Sequence, residues 1–115
     1  MTELPDRADP RIQNPGVCSS NARKLWVDDL RTPPGPEWDW EKSSQNAIRW
    51  LRRREAHEVD VISLDHDLGG DDTTRPVVLW LVESEFWPAQ RVRCHSANPV
   101  GWEWVTSMVA RYGPY

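Results

Sequence analysis

The chain reads as short apolar runs that stop abruptly at acidic residues, with helically spaced stretches between them. Lys24 to Val27 is one such run, closed by Asp28-Asp29, the pattern of a buried strand entering a loop. Pro33, Pro34, Gly35 and Pro36 exclude regular structure in the segment that follows. Glu37-Trp38-Asp39-Trp40-Glu41 alternates acidic and aromatic residues, as a short edge strand does. Ser43 or Ser44 offers an N-cap for a helix carrying Ala47, Ile48, Trp50 and Leu51 and reaching about Arg54. Val59 to Leu64 is a second buried strand, running into Asp65-His66-Asp67 and a glycine-containing loop.

Thr74 is placed to cap a helix with Pro76 in its first turn and Val78, Leu81 and Val82 on its inner face. Pro88 closes that helix. Gln90 to Cys94 alternates, which predicts a third strand nearer a sheet edge. Asn98 and Pro99 are suited to the N-cap and first position of a last helix. Its helical spacing runs through Trp102, Val105, Met108, Val109 and Tyr112, and Gly113-Pro114 ends it. Strands alternating with helices imply right-handed crossovers and a parallel sheet, hence an α/β fold.

Residues 1–22 hold Pro5, Pro10, Pro15 and Gly16 but few apolar side chains. They are expected to form a disordered or loosely attached tail, leaving 23–115 as one α/β domain. A length of 115 residues suits a single domain. The net charge of −4 argues against a broad duplex nucleic-acid surface. Arg52-Arg53-Arg54, the only basic run, reads as a solvated helix end. Cys18 and Cys94 form neither a disulfide framework nor a zinc cluster, and Cys94 reads as a buried free thiol. The eight tryptophans are assigned chiefly to packing. No apolar run approaches a membrane span and the N-terminus lacks signal-peptide features, so a cytoplasmic protein is expected.

Ligands of open parallel sheets bind outside the carboxyl ends of the strands. Here those ends carry Asp28-Asp29, Asp65-His66-Asp67 and His95-Ser96. At least four carboxylates would meet there, repel one another and raise one another's pKa values. A hard divalent cation relieves that repulsion, and Mg2+ with its affinity for phosphate oxygens fits the set, with Mn2+ as the alternative. Zinc suits it less without a Cys/His pair at ligand spacing, and the segment from Asp65 to Asp72 lacks the glutamate that closes a calcium loop. The competing reading is that these residues only cap turns and helices. His95 to Pro99 leads into a helix N-terminus, whose N–H groups favour a phosphate, with Ser96 adding a hydroxyl. His66 and His95 are candidates for acid–base work; His57 reads as surface.

Three motifs occur in order: Val27-Asp28-Asp29-Leu30-Arg31, Ser63-Leu64-Asp65-His66-Asp67-Leu68-Gly69 and His95-Ser96-Ala97-Asn98-Pro99. Over about residues 23–112 they resemble the cyclic-phosphate-processing receiver-like domains, a divergent branch of the response-regulator receiver superfamily. The resemblance implies a flavodoxin-like three-layer sandwich with a short, mostly parallel sheet in the order 2-1-3-4. It implies a metal held by Asp28, Asp29, Asp65 and Asp67, catalysis by Asp65, His66 and His95, and phosphate contacts from Ser96, Asn98 and Arg31. The implied activity is metal-dependent hydrolysis of a cyclic phosphate, on a small ligand such as a nucleotide or an RNA end. The alternative is a non-catalytic module that binds Mg2+ and phosphate or is phosphorylated on Asp65, with Trp38, Trp40 and Trp87 as partner surface. The lysine that classical receivers use is missing, the only lysines being Lys24 and Lys42, and Arg31 is the candidate substitute for its charge. Thr74-Arg75-Pro76 also replaces the Thr-Gly expected before the second long helix.

Overall fold

Strands β1 (Lys24–Val27), β2 (Trp38–Glu41), β3 (Val61–Leu64) and β4 (Arg91–Cys94) form one parallel sheet in the order β2-β1-β3-β4 in the computed structural model of the protein. It describes residues 21–115, so the expected tail and Cys18 lie outside the described residues apart from the tail's last two positions. Helix α1 (Ser44–Arg52) joins β2 to β3, α2 (Arg75–Ser84) joins β3 to β4, and α3 (Pro99–Tyr112) follows β4.

The register pairs Leu25 with Ile62 and Val27 with Leu64. Because side chains alternate across a strand, these four and Val92 line one face. They share a single apolar cluster with Ala47, Trp50 and Leu51 of α1, Val77, Val78 and Leu81 of α2, and Val105 and Val109 of α3. All three helices therefore cover the same face. The crossover from β2 to β3 and that from β3 to β4 step in the same direction along the sheet, so right-handedness puts both helices on one side. The other face carries Lys24, Trp26, Trp38, Trp40, Val61, Ser63, Arg91 and Arg93, and no helix covers it among the described residues. The class, the parallel sheet and its order are as expected; the third layer is not built from helix in the described residues. Its place in a doubly wound fold is the connection from β1 to β2, and here three prolines occupy that connection.

The caps explain where the helices start. The Ser43 side chain accepts from Asn46 N–H, and Asn98 accepts from Val100 and Gly101 N–H. Thr74 precedes α2 but makes no capping bond; Arg75 N–H donates to Thr73 Oγ1 instead. Helix α2 ends at Ser84, where Glu85 turns left-handed (φ 52°), short of the expected stop at Pro88. The buried stripe of α3 is Gly101, Val105 and Val109, while Trp102 and Tyr112 are each 48% exposed. A glycine at the first inner position hides that stripe from a hydrophobicity reading. Seven of the eight tryptophans are at least half-buried, Trp102 being the exception, which agrees with a packing role. The arginine run is not wholly solvated: Arg54 lies 3.6 Å from the Trp50 ring centroid and donates to Trp50 O.

Candidate functional site

Strands β1 and β3 are neighbours, so their carboxyl ends bring Asp28, Asp29 and Asp65 together. One carboxylate oxygen from each lies within 4.8 Å of the others, a group that could hold a metal ion. The ladder continues into the rim through Asp65 N–H, which donates to Val27 O at 2.8 Å.

Asp28 is 1% exposed. Its Oδ1 accepts from Leu30 and Arg31 N–H, both at 2.9 Å, and its Oδ2 lies 2.9 Å from His95 Nε2. Trp40 Nε1 donates to the Asp28 carbonyl at 2.6 Å. Burial pushes the Asp28 pKa up, but the two backbone donors and His95 outweigh it and hold the carboxyl below its usual range. The expectation that crowding raises these carboxyls therefore fails at Asp28. Asp29 and Asp65 accept no hydrogen bond from any described residue. The loop after β3 closes against Asp29 through Gly69, whose φ is +87° and where a Cβ would come within 2.9 Å of Asp29 Oδ2.

His95 is fixed on three sides. Its ring stacks on Trp26 with centroids 3.8 Å apart and planes 5° from parallel. Its Nδ1 is 2.8 Å from Ser63 Oγ, opposite the bond from Nε2 to Asp28. Burial lowers its pKa, against the pull of Asp28. Arg31 remains exposed, with Nε 4.0 Å from Asp28 Oδ2 and Nη1 donating to the His95 carbonyl at 3.4 Å. It brings a positive charge to the rim, where one was expected in place of a lysine.

Four of the expected residues make contacts within the scaffold. His66 is buried outside the carboxylate group: its Nδ1 meets Asp67 Oδ1 at 2.9 Å, and its Nε2 accepts from Arg75 Nε at 2.9 Å. With both nitrogens engaged, this histidine ties the start of α2 to the loop rather than facing the rim. Asp67 is likewise outside the group, its Oδ2 accepting from Asn98 Nδ2 at 3.0 Å. The bonds from Asn98 and His66 hold its pKa low. Asn98 Oδ1 takes the Val100 and Gly101 N–H groups at 3.1 and 3.2 Å, Trp102 N–H goes to Asn98 O, and Pro99 has no N–H. The first turn of α3 thus has no donor left for a phosphate. Ser96 Oγ accepts from Asn98 N–H at 3.0 Å and belongs to the same cap.

The sequence pattern points to no role at the site for Ser63, Trp26 or Gly101. The signal for Ser63 was a lone hydroxyl inside Val61-Ile62-Ser63-Leu64, and the register sets it beside Trp26 on the helix-free face.

Among the described residues, no helix is long and apolar enough to cross a membrane. A family profile described as the cyclic-phosphate processing receiver domain matches residues 23–111. No curated protein and no solved structure matches the chain.

Proposed function

The chain belongs to the cyclic-phosphate processing receiver domain family, and on that premise we propose that it hydrolyses a cyclic phosphate ester at the Asp28, Asp29 and Asp65 carboxylates. The observation that carries this reading is the pair Asp29 and Asp65, without donors among the described residues, beside an Asp28 held charged by three. A set of three carboxylate oxygens suits a hard divalent cation, Mg2+ or Mn2+. Such a cation would neutralise charge on the phosphate oxygens and on the departing ester oxygen.

The protein's own groups then have separable tasks. Arg31 binds the anionic phosphate oxygens, the geometry for which guanidinium is suited. Asp65 is open to receive the proton of an attacking water while one ester P–O bond breaks, and the released alkoxide is protonated from solvent. His95 does not touch substrate; it holds Asp28. The expected ligand class is a small cyclic phosphate, on a nucleotide or an RNA end.

A second reading is supported by the same unpartnered Asp65, a residue open to phosphorylation in a binding or signalling module. No lysine follows β4, where classical receivers carry theirs; the chain's two lysines, Lys24 and Lys42, lie over tryptophan rings of β2. Phosphorus NMR of the wild type and Asp65→Asn with Mg2+ and a panel of 2′,3′-cyclic and 3′,5′-cyclic nucleotides tests the proposal. Conversion by the wild type alone supports hydrolysis. Equal rates in Asp65→Asn refute the assigned role. No conversion, together with a hydroxylamine-sensitive phosphoryl adduct at Asp65 after acetyl phosphate treatment, moves the choice to the second reading.

A further inference from the structure

Ser63 is fully buried in the middle of β3, on the face that no helix of the described residues covers. A hydroxyl there needs a partner, and its partner is His95 Nδ1 at 2.8 Å. The Trp26 stack sets the plane of the His95 ring, and the bonds at its two nitrogens set its rotation within that plane.

Donor and acceptor roles along this chain follow from chemistry. The ionised Asp28 only accepts, so Nε2 must carry the hydrogen that points to Oδ2. In the neutral ring Nδ1 is then an acceptor, and the Ser63 hydroxyl donates to it. On Asp28, two backbone N–H groups fill Oδ1 and the imidazole fills one position of Oδ2. One acceptor position of Oδ2 stays open, and one Asp28 carboxylate oxygen lies within 4.8 Å of one from each of Asp29 and Asp65.

We propose that Ser63 is a positioning residue for the cation site: its hydroxyl pins His95 in the orientation that aims Nε2–H at Asp28 and leaves that last position free for a divalent ion. The inference rests on the cation reading of the carboxylate group. It extends the site to a buried residue that touches neither ion nor substrate. Outer partners that orient a ligand typically change metal affinity by 10- to 100-fold when removed.

The test combines nitrogen-15 NMR of the metal-free protein with Mn2+ binding followed by electron paramagnetic resonance. In the wild type, His95 is expected as the Nε2–H tautomer with a hydrogen-bonded Nδ1. Ser63→Ala should move the Nδ1 resonance to that of an unbonded acceptor and weaken Mn2+ binding by about tenfold. Ser63→Thr, which keeps the hydroxyl, should return both toward wild type, a rescue that a purely structural role would not produce. An unmoved Nδ1 resonance in Ser63→Ala, or a moved one with unchanged Mn2+ affinity, overturns the proposal. A wild type that binds no Mn2+ overturns the cation reading and this proposal with it, and the metal-free resonance tells that failure apart from a failure of Ser63 to hold the ring.

Discussion

Gly101→Ala sets two known effects against each other at one atom. Gly101 is the first inner residue of α3, and an added Cβ would lie 2.3 Å from His66 Cγ and 2.6 Å from its Cβ and Nδ1. Ordinary carbon contacts lie at about 3.5–4.0 Å, so the ring or the helix must move. The ring is held at Nδ1 by Asp67 and at Nε2 by Arg75. Helix propensity alone favours alanine over glycine by about 1 kcal/mol. Overpacking a tight interior costs about 1–3 kcal/mol, and displacing the ring loses two hydrogen bonds worth roughly 1 kcal/mol each. The unfavourable effects win, for a net loss of about 3 kcal/mol and a fall in Tm of roughly 15 °C in a domain of this size. Urea unfolding followed by tryptophan fluorescence reads the shift in midpoint, with an unchanged slope showing that compactness is unaltered. In a His66→Gly background both the ring and the Cβ it hangs from are gone, and the same substitution should stabilise by up to about 1 kcal/mol. A Gly101→Ala protein as stable as wild type would refute the claim that His66 is a fixed strut between the helices.

Two further outcomes follow from the polar groups of this sheet end. The folded-state pKa of His95 lies below its usual 6.5, so the stability it contributes is fully present above that value and is lost as pH falls through the lowered one. Asp28 and Asp67 lie below their usual 3.8, so their contributions are present above 3.8 and disappear at still lower pH. Urea midpoints from pH 8 to 3 should fall in two stages, and His95→Gln should remove the upper stage; a wild-type midpoint that is flat from pH 7 to the acidic limb contradicts the assignment. Thr74 Oγ1 is buried without a hydrogen-bond partner among the described residues, a state that costs about 1–3 kcal/mol. Thr74→Val should therefore raise the thermal midpoint, and a clear drop would mean that the hydroxyl has a partner in solution.

The α/β class, the four strands and the meeting of Asp28, Asp29 and Asp65 were legible because each depends only on strand ends. A parallel sheet brings the carboxyl ends of adjacent strands together whatever the side chains do next. What a one-dimensional reading lacks is direction. In Asp65-His66-Asp67, consecutive side chains leave the strand end in different directions, so only Asp65 joins the group while its neighbours bond to Arg75 and Asn98. Asn98 shows a second limit. It was correctly placed as an N-cap and also assigned to phosphate, yet a cap that accepts two N–H groups removes the donors a phosphate would need. The third layer failed for a local reason, the prolines between β1 and β2, whose significance depends on knowing that a helix belongs there.

Two histidine–aspartate pairs at the same sheet end divide chemistry from support, and carboxylate burial separates them. Asp67 has a side chain 58% exposed, where solvent screens its pairing with His66, and Arg75 occupies the far nitrogen of that ring. The Asp28 side chain is 1% exposed, and each of its bonds to Leu30, Arg31 and His95 acts where water competes little. A carboxylate kept charged in such a setting is costly unless it has a cationic or strongly donating counterpart. Three donors meet part of that cost, and two further carboxylates without donors among the described residues lie close by. On the proposed reading, a cation and an anion from outside the chain would complete the local balance, as a phosphate ester with its metal ion would. Arg31, exposed and 4.0 Å from Asp28, is placed to meet such an anion first.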